Sequence, residues 1–588
     1  MRRITRQLVS LALLLLIAQT AYAQLTIDGK RPVYDGLTGT YLLTLPDTVF
    51  GGAFSAPVVI DAKVSDVRID GREVTTVVDF PVVKGDTCYT LTFTKGGVIT
   101  QSSLHFTYLP ILCVNGTFGN DYVAAPVSIT MPDEHETQTY NARLKWAGSS
   151  TNGAWTHKRS YHIKFVDEAG EKMDVSFFGL RNDNHWRLDA GTIDMLRIRN
   201  KVAHGLWADF GVKPYYADQQ PKARSYVRGS HVEMFLNGEY RGFFDMTEYL
   251  DRKQLKLKKY DLVEDSSAVQ QIEQHGQLWK AKEETSQTMF IMNTDCDSTL
   301  DNWAGFDLMY PDIEEVSPAD YSTLRNAVDF VARSGKNDFI QQVGEYFDLP
   351  VLVNYYVFIN TIFAIDNTCK NIIWGCYDSQ VDKKLTLAVW DMDATAGQHW
   401  RDQEGYYHAD AIQPENDFDL LPNSVSMMAY NRLFQRLKTL PDFALLTTNC
   451  YWRLRENVLD PDSLVARYES VYRRLENCGA LAREEVRWSD TGDIAHRMLD
   501  FAGEFEYLTD WLRRRIAYMD THTFACMRGD VNNNGAISIE DLTGLISYLL
   551  EAGGSVSINR VNADVNVDDQ ITISDVTALI TLLMAGTN

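Results

Sequence analysis

The sequence predicts a multidomain protein with an all-β domain at the N-terminus, an α+β domain of two lobes in the middle and an all-α module at the C-terminus. Short β-branched and aromatic stretches separated by Gly, Asp and Pro predict the first unit. Mixed strand and helix patterns followed by long helical patterns predict the second. A twelve-residue loop motif that occurs twice near the end predicts the third. A chain of 588 residues has room for two to four such units.

Composition and charge exclude several classes of protein. Hydrophobic residues make up 45% of the chain and charged residues 23%, as in globular rather than disordered or fibrous proteins. The chain has 56 Lys and Arg against 79 Asp and Glu, a formal net charge of −23. This acidity disfavours nucleic acid or an anionic membrane surface as the main partner, and it suits metal-ion binding.

The first 23 residues have the pattern of a secretory signal peptide. Basic residues at positions 2, 3 and 6 precede an apolar stretch from Leu8 to Ala18, and Ala21-Tyr22-Ala23 supplies the small residues of a cleavage site. A membrane anchor is the alternative interpretation, but the apolar stretch is short for a span. We therefore expect cleavage after Ala23, no membrane span in the mature chain, and a secreted, cell-surface or periplasmic location.

Residues 24–127 are predicted to form the β-domain, with a fold like a β-sandwich. Its apolar stretches include Tyr41–Leu45, Val58–Ile60 and Cys88–Phe93, and turn-forming residues separate them. No pattern of catalytic or metal-binding residues is visible in this segment, so the sequence leaves the role of the β-domain open.

Residues 128–525 are predicted to form the two-lobed domain, strand-rich as far as about residue 261 and helical after it. In the first part, Tyr161–Phe165 and Val232–Leu236 have strand composition, and Asn237-Gly238 predicts a tight hairpin turn. In the second part, apolar residues recur at helical spacing, with a strand pair near residues 371–391. A cleft between the two lobes is expected.

Residues 526–588 contain two similar loops that begin 34 residues apart, and each loop is predicted to wrap one hard cation. Oxygen-bearing side chains occupy loop positions 1, 3, 5, 9 and 12, and the backbone carbonyl at position 7 is a further ligand. The ligands expected in the first loop are Asp530, Asn532, Asn534, the carbonyl of Ala536, and Asp541. Those expected in the second are Asp564, Asn566, Asp568, the carbonyl of Gln570, and Asp575. Asp569 stands where the first loop has Gly535, which is expected to weaken the second site.

Each loop is predicted to lead into an amphipathic helix, Leu542–Leu550 and Val576–Met584. Position 12 is Asp, not the Glu of ordinary EF-hands, and the sequence predicts one clear helix beside each loop. This arrangement resembles a dockerin. The resemblance implies Ca²⁺ in both loops and a cohesin-like protein as partner, bound by the helices. Two polar turns between helices are the alternative interpretation.

A cluster of polar residues between Ile365 and Gly397 has a spacing that protein kinases use. Asp366 lies five residues before Asn371, and the acidic pair Asp391 and Asp393 follows an apolar strand some twenty residues later. In that chemistry one Asp acts on the acceptor hydroxyl, while an Asn and a second Asp hold Mg²⁺ or Mn²⁺. We expect Asp391 and Asp393 to share a face of an extended strand and a metal. Capping and turn residues beside a buried strand would give the same pattern.

Several segments between Ala142 and Trp400 resemble the CotH family, named for spore-coat protein H, whose members are secreted or surface proteins with an atypical protein-kinase-like fold. These segments are Gly148-Ser149-Ser150, Trp155, Lys158–Phe165, Asp194, Arg199-Asn200, Asn237–Gly242, Glu248 and Trp390–Asp393. By resemblance, Asp366 is the catalytic residue, Lys158 or Lys164 contacts the phosphates of ATP, and Asn371 with Asp391 holds the metal.

The resemblance implies transfer of the ATP γ-phosphoryl group to a hydroxyl, expected to be on a protein. A different class of function stays open: a non-catalytic assembly protein, or one associated with polysaccharide, whose kinase-like domain is a binding surface. For Glu248 two interpretations also stay open, a surface acid at the end of a hairpin and an ion pair that positions one lobe on the other.

Overall fold

A computed structural model of the chain describes residues 25–148, 150–152, 156–264, 270–398, 412–421, 426–440, 442–489, 499–551 and 556–585. The predicted signal peptide, residues 1–23, lies outside the described residues, as does Trp155. No helix among these described ranges is long and apolar enough to cross a membrane.

The N-terminal region consists of two sheets that enclose one apolar core, so the prediction of a β-rich region is confirmed. Its strands are β1 (Leu25–Ile27), β2 (Val33–Asp35), β3 (Thr40–Thr44), β4 (Phe54–Ile60), β5 (Val64–Ile69), β6 (Arg72–Glu73), β7 (Val77–Phe80), β8 (Tyr89–Lys95) and β9 (Val98–Thr107). The sheet orders are β1-β4-β7 and β2-β3-β9-β8-β5-β6. Strands β3 and β9 pair in parallel, whereas the other pairs are antiparallel. Leu43, Leu91 and Phe106 lie in the shared core.

A closed seven-stranded barrel follows. Its strands are β10 (Ile111–Val114), β11 (Val123–Thr130), β12 (Thr137–Ala147), β13 (Ser160–Phe165), β14 (His185–Asp189), β15 (Gly229–Leu236) and β16 (Glu239–Glu248). The order is β10-β11-β12-β13-β14-β16-β15, and parallel pairing of β10 with β15 closes it. The predicted domain boundary at residue 127 lies inside β11, because β10 and β11 belong to the barrel. Asn237 and Gly238 both have positive φ, 56° and 76°, as the predicted hairpin turn requires.

The alternation of apolar and polar residues explains how the barrel is filled. Tyr161, Ile163 and Phe165 of β13 are buried in the barrel core, whereas His162 and Lys164 between them lie on the outer face. The side chains of His162 and Lys164 are therefore on the outside of the barrel wall.

After the barrel, a five-stranded sheet packs with the helices. The strands are β17 (Asp261–Glu264), β18 (Gln270–Glu273), β19 (Gln277–Ala281), β20 (Asn302–Trp303), β21 (Phe306–Tyr310), β22 (Ile372–Asp378) and β23 (Asp382–Val389). Strands β17 and β18 form a separate pair, and the sheet has the order β20-β21-β19-β22-β23. The predicted strand pair near residues 371–391 is thus β22 and β23. The second part of the middle domain is not purely helical, because it contains this sheet.

The helices of the middle and C-terminal parts pack their apolar faces into hydrophobic clusters. They are α1 (Arg199–Asp209), α2 (Arg252–Leu255), α3 (Ser322–Arg333), α4 (Lys336–Tyr346), α5 (Leu349–Thr361), α6 (Arg432–Leu437), α7 (Phe443–Arg455), α8 (Pro461–Asn477), α9 (Ala480–Trp488), α10 (Phe501–Tyr518), α11 (Ile539–Leu550), α12 (Arg560–Ala563) and α13 (Ile573–Ala585). Helices α11 and α13 begin three residues before the predicted bounds. At α11 the reason is a capping box between Ser538 and Asp541. The short helix α12, which precedes the second loop, was not predicted.

Helix α9 is attached to the barrel by a buried carboxylate, Glu484. One oxygen accepts from Lys158 Nζ at 2.6 Å and from Arg197 Nε at 3.3 Å, and the other accepts from the amide of Phe243 at 3.1 Å. All of these groups are buried. Gly242 allows this approach, because it has a φ of 90° and a Cβ there would lie 2.0 Å from Glu484 Oε2. The barrel and the helices after it therefore share one polar joint.

We predict that Glu484→Gln destabilises this joint strongly. The substitution keeps the shape of the side chain but leaves the buried charges of Lys158 and Arg197 without their shared anion, which costs about 3–5 kcal/mol in buried pairs. Urea unfolding followed by tryptophan fluorescence measures the shift of the midpoint. Glu476→Gln, in the exposed pair with Arg473, is the control and leaves the midpoint unchanged. Equal midpoints for the two variants would contradict the prediction.

Candidate functional site

Asp366 lies in a single turn, Ile365–Asn367, between helix α5 and strand β22. The turn is tied down by Asn367, whose side-chain amide donates to the carbonyl of Trp390 at 2.8 Å and to that of Asn371 at 3.3 Å. Tyr355 of α5 donates its hydroxyl to the carbonyl of Asn367 at 2.7 Å. The segment that carries Asp366 is thereby held against the end of β23.

The carboxylate of Asp366 is bound by two neighbours in its own loop. Asn371 Nδ2 donates to Asp366 Oδ2 at 2.8 Å, and Lys370 Nζ lies 3.0 Å from Oδ1. Asn371 has a left-handed backbone, φ 55°, and its amide donates to the carbonyl of Ala281 at 2.8 Å. Burial raises the pKa of Asp366 to about 6, helped by the nearby charge of Asp391 and opposed by Lys370.

Asp391 and Asp393 lie beyond the end of a strand, not within it. Strand β23 ends at Val389, and Asp391 has a φ of 57°, so the expectation that the two aspartates share a face of an extended strand is wrong. They still interact. Burial raises the pKa of Asp393 well above its usual range, and the charges of Asp391, Asp189 and Asp366 add to the effect. Asp393 is thus a buried carboxylate in strongly acidic surroundings.

Asn200 of helix α1 connects two parts of this region. Its Nδ2 donates to Asp189 Oδ2 at 2.8 Å, and its Oδ1 accepts from the amide of Met392 at 3.0 Å. Asp189 at the end of β14 also accepts from Ser160 Oγ at 3.3 Å. Asn200 therefore positions the backbone between the two aspartates. Sequence reasoning found Asn200 only through the CotH resemblance and missed Asp189, although Asp189 ends a strand beside the buried Ser160.

The two lysines predicted to contact phosphate lie in different surroundings. Lys158 is fully buried in the joint with Glu484, and this burial, together with Arg197, lowers its pKa to about 8. Lys164 is half-buried on the outer face of the barrel, with Nζ 4.7 Å from the centre of the Tyr122 ring. Burial and the nearby charge of Lys145 lower the pKa of Lys164. Of the two, Lys164 is the one that faces outward.

Glu248 is not a surface acid at a hairpin end, because only 2% of it is exposed. Its carboxylate pairs with Arg228 at 2.8 Å and with Arg224 at 3.3 Å, and it accepts from the amide of Arg181 at 2.9 Å. Glu248 thus orders the loops around the end of β16. The acid that pairs with Lys158 is Glu484, far away in the sequence.

The two C-terminal loops have the same internal hydrogen-bond pattern. In the first loop, Asp530 accepts from the amides of Asn534 and Gly535 at 2.9 and 2.8 Å. In the second loop, Asp564 accepts from the amides of Asp568 and Asp569 at 3.0 and 3.2 Å. The carboxylates at position 12 are also alike in the two loops. Both are fully buried, and both accept hydrogen bonds from backbone amides of their own loop. Asp541 accepts from the amides of Asn532 and Ser538, and Asp575 from those of Val565 and Thr572.

The second loop brings three acidic ligands together. Oxygens of Asp564, Asp568 and Asp575 all lie within 4.8 Å of one another, a spacing that suits one hard cation. Asp569 takes a left-handed backbone with φ 62°, in the place where Gly535 has φ 86°. The loop therefore folds as predicted in spite of the missing glycine.

Comparison with protein families decides what these two sites belong to. The model of the CotH kinase protein family matches residues 144–519, which is more than half of the chain. The chain belongs to the CotH kinase protein family. The model of the dockerin type I domain matches residues 528–584 and contains both loops. No curated protein matches the chain.

The CotH match includes Lys158, Lys164, Asp366, Asn371, Asp391 and Asp393, and it begins inside strand β12 of the barrel. Helix α9 with Glu484 also lies within it, so the buried joint is internal to the CotH region. The dockerin region has its own small core, formed by residues such as Val531, Leu545, Val576 and Leu579. The sandwich at the N-terminus lies outside both matches.

We predict that Val567→Asn stabilises the dockerin region by roughly 1 kcal/mol. Val567 has a left-handed backbone, φ 65°, which is strained for a β-branched residue, and its side chain is exposed. The equivalent residue of the first loop is Asn533, with φ 57°. Thermal unfolding with and without Ca²⁺ measures the gain.

The reverse exchange is the control. Asn533→Val introduces the same strain and also removes the acceptor for Asn559 Nδ2 at 2.7 Å, so it lowers the melting temperature. A Val567→Asn variant that melts at or below the temperature of the parent would show that the backbone strain is not significant.

Proposed function

We propose that this CotH-family chain is an exported phosphotransferase that moves the γ-phosphoryl group of ATP to a protein hydroxyl and is tethered through a calcium-loaded dockerin module. The proposal includes a signal peptide at residues 1–23, a β-domain at 24–127, the CotH domain at 128–525 and the dockerin module at 526–588. The observation that carries the catalytic part is the hydrogen bond between Asp366 and Asn371 beside Asp391 and Asp393.

The donor set at this site fits Mg²⁺ or Mn²⁺. Asn371, Asp391 and Asp393 offer hard oxygen ligands, which these ions prefer. Asp393 is buried and feels the charges of other carboxylates, so a divalent cation there would offset this repulsion. When bound, the metal would neutralise charge on the phosphates of ATP. Asp189, held by Asn200, is a further acid next to these ligands.

Asp366 is the proposed base. The hydroxyl oxygen of the acceptor forms a bond to the γ-phosphorus as the bond to the β-phosphate oxygen of ATP breaks, and Asp366 takes the hydroxyl proton. The products are the phosphorylated protein and ADP. Asn371 holds Asp366 in one orientation at 2.8 Å, and Lys370 at 3.0 Å stabilises its ionised form. An acceptor hydroxyl would have to approach the carboxylate between these two groups.

The dockerin module supports the tether. Exposed apolar residues lie at matching positions on its two long helices, 34 residues apart: Ile539 and Ile573, Ile546 and Ile580, Leu550 and Met584. Exposed apolar groups arranged in this way mark a surface for another protein. We propose a cohesin-like protein as the partner and Ca²⁺ in both loops as the ion that orders the surface.

We predict that the parent protein phosphorylates itself and that Asp366→Ala and Asp391→Ala do not. Intact-mass spectrometry of the mature chain after incubation with ATP and Mg²⁺ or Mn²⁺ reads out about 80 Da per phosphate. The first variant removes the base and the second removes a metal ligand, and each such loss costs at least about 100-fold in rate.

Asp329→Ala is the matched control, because Asp329 forms an exposed ion pair with Arg333 on helix α3, outside the Asp366 loop. It gains phosphate like the parent. The phosphotransferase proposal would be contradicted if the parent gains no mass and its melting temperature does not rise on addition of ATP. That result would favour a binding role for the CotH domain.

We predict that Ca²⁺ stabilises the dockerin module and that a chelator reverses this. A ligand that binds only the folded state at about 1,000 times its Kd adds roughly 4 kcal/mol to the free energy of unfolding. Titration calorimetry shows two Ca²⁺ per chain in the parent and one in Asp541→Ala or Asp575→Ala. Glu540→Ala, an exposed acid next to Asp541, keeps both. Two full sites in either position-12 variant would contradict the ligand assignment.

A further inference from the structure

Two cations lie close to the side chain of Trp390, the residue before Asp391. The guanidinium carbon of Arg187 is 5.1 Å from the centre of an aromatic ring of Trp390, and Lys280 Nζ is 5.5 Å from it. Arg187 belongs to strand β14 of the barrel, whereas Lys280 belongs to strand β19 of the five-stranded sheet. The cations therefore come from two separate sheets and converge at the edge of the proposed metal site.

These groups lack close anionic partners. Among the described residues, no carboxylate oxygen lies within 4.0 Å of Lys280 Nζ, and Arg187 has only a long ion pair with Asp189 at 3.7 Å. Arg187 Nε and Trp390 Nε1 are both buried without an acceptor among the residues that the structure describes, and Trp390 is only 8% exposed. Buried donors without acceptors are rare in native proteins and point to a ligand or ordered water.

The neighbouring charges favour an anion as that ligand. Lys280 is attracted by Asp391 and Asp307 and repelled by Arg187. Two partly buried cations that repel each other gain from an anion between them. A phosphate on a metal held by Asp391 would lie next to both. Arginine forks and lysine ammonium groups are the usual protein ligands of phosphate oxygens.

The lysines predicted from the sequence fit this role less well. Lys158 is enclosed in the buried joint with Glu484 at 2.6 Å. Lys164 lies beside Lys145 and His185 on the outer face of the barrel, and His185 is two residues from Arg187 along β14. Two residues of a strand span about 7 Å, so Lys164 stands further along the barrel wall from the carboxylates than Arg187 does.

We propose that Lys280 and Arg187 bind the phosphate groups of the nucleotide, with Trp390 Nε1 as a third donor. This inference rests on the proposed phosphotransferase function and assigns the cations that the function requires. The phosphates lie between the barrel and the five-stranded sheet, next to Asp391. Their binding joins the two sheets and places the γ-phosphate on the side of Asp366.

The test compares Lys280→Ala and Arg187→Gln with the parent in calorimetric titrations of the mature chain with ATP, inorganic tripolyphosphate and adenosine, each with Mg²⁺. Loss of one charge-assisted hydrogen bond corresponds to about a 10- to 100-fold loss of affinity. We expect losses of this size for ATP and tripolyphosphate in both variants and unchanged affinity for adenosine. Lys280→Arg restores most of the affinity for tripolyphosphate, because it keeps the cation.

Lys282→Ala is the matched control. Lys282 is two residues from Lys280 but already pairs with Asp307 at 3.1 Å, so its removal changes affinity less than twofold. Two results overturn the inference while the proposed function stands. In the first, Lys280→Ala and Arg187→Gln bind ATP as tightly as the parent does. In the second, the variants lose as much affinity for adenosine as for ATP. A parent that binds neither ATP nor tripolyphosphate overturns the proposed function itself.

Discussion

Arg199 holds the candidate site together, because its side chain binds a nearby aspartate and two distant parts of the chain at once. It pairs with Asp194 at 2.7 Å, with Glu504 of helix α10 at 2.6 Å, and donates to the carbonyl of Thr395 at 3.1 Å. Burial disfavours its charge, but Glu504 and Asp194 outweigh that cost and raise the pKa of Arg199. Removing any one partner would leave a buried charge without compensation, so the network is stable only when it is complete.

The network around Arg199 acts by positioning the backbone of the candidate site, not by contact with the proposed reacting groups. Thr395 and Gln398 lie two and five residues after Asp393. Gln398 Nε2 donates to the carbonyl of Ile193 at 2.7 Å. Helix α1 begins at Arg199, and its second residue, Asn200, binds Asp189 and the amide of Met392. One helix start therefore fixes the segment that contains Asp391 and Asp393 at two points, between these aspartates and just after Asp393. Such positioning matters because metal ligands must be preorganised to bind one ion well.

Sequence reasoning was most successful where the relevant residues are close together in the chain. The loops that start at Asp530 and Asp564 could be predicted because each motif lies within twelve residues, and the dockerin match confirms the resemblance to a dockerin. The pairing of Asp366 with Asn371 was also within reach, since five residues of one loop connect them. The contact of Lys158 with Glu484 joins residues 326 apart, and no local pattern indicates it. Lys280 and Arg187 were missed for the same reason.

The second calcium loop is also connected to the CotH domain. The side chain of Asn449 in helix α7 donates to the carbonyl of Ile558 at 2.8 Å and accepts from the amide of Arg560 at 3.2 Å. It therefore binds the backbone on both sides of Asn559. Asn559 in turn donates its amide to the carbonyl of Val531 at 2.8 Å in the first loop. Helix α12 leads directly from this contact into Asp564. An ion that orders either loop therefore also acts on the segment that rests on helix α7, because the side chain of Asn449 forms hydrogen bonds with the backbone of that segment.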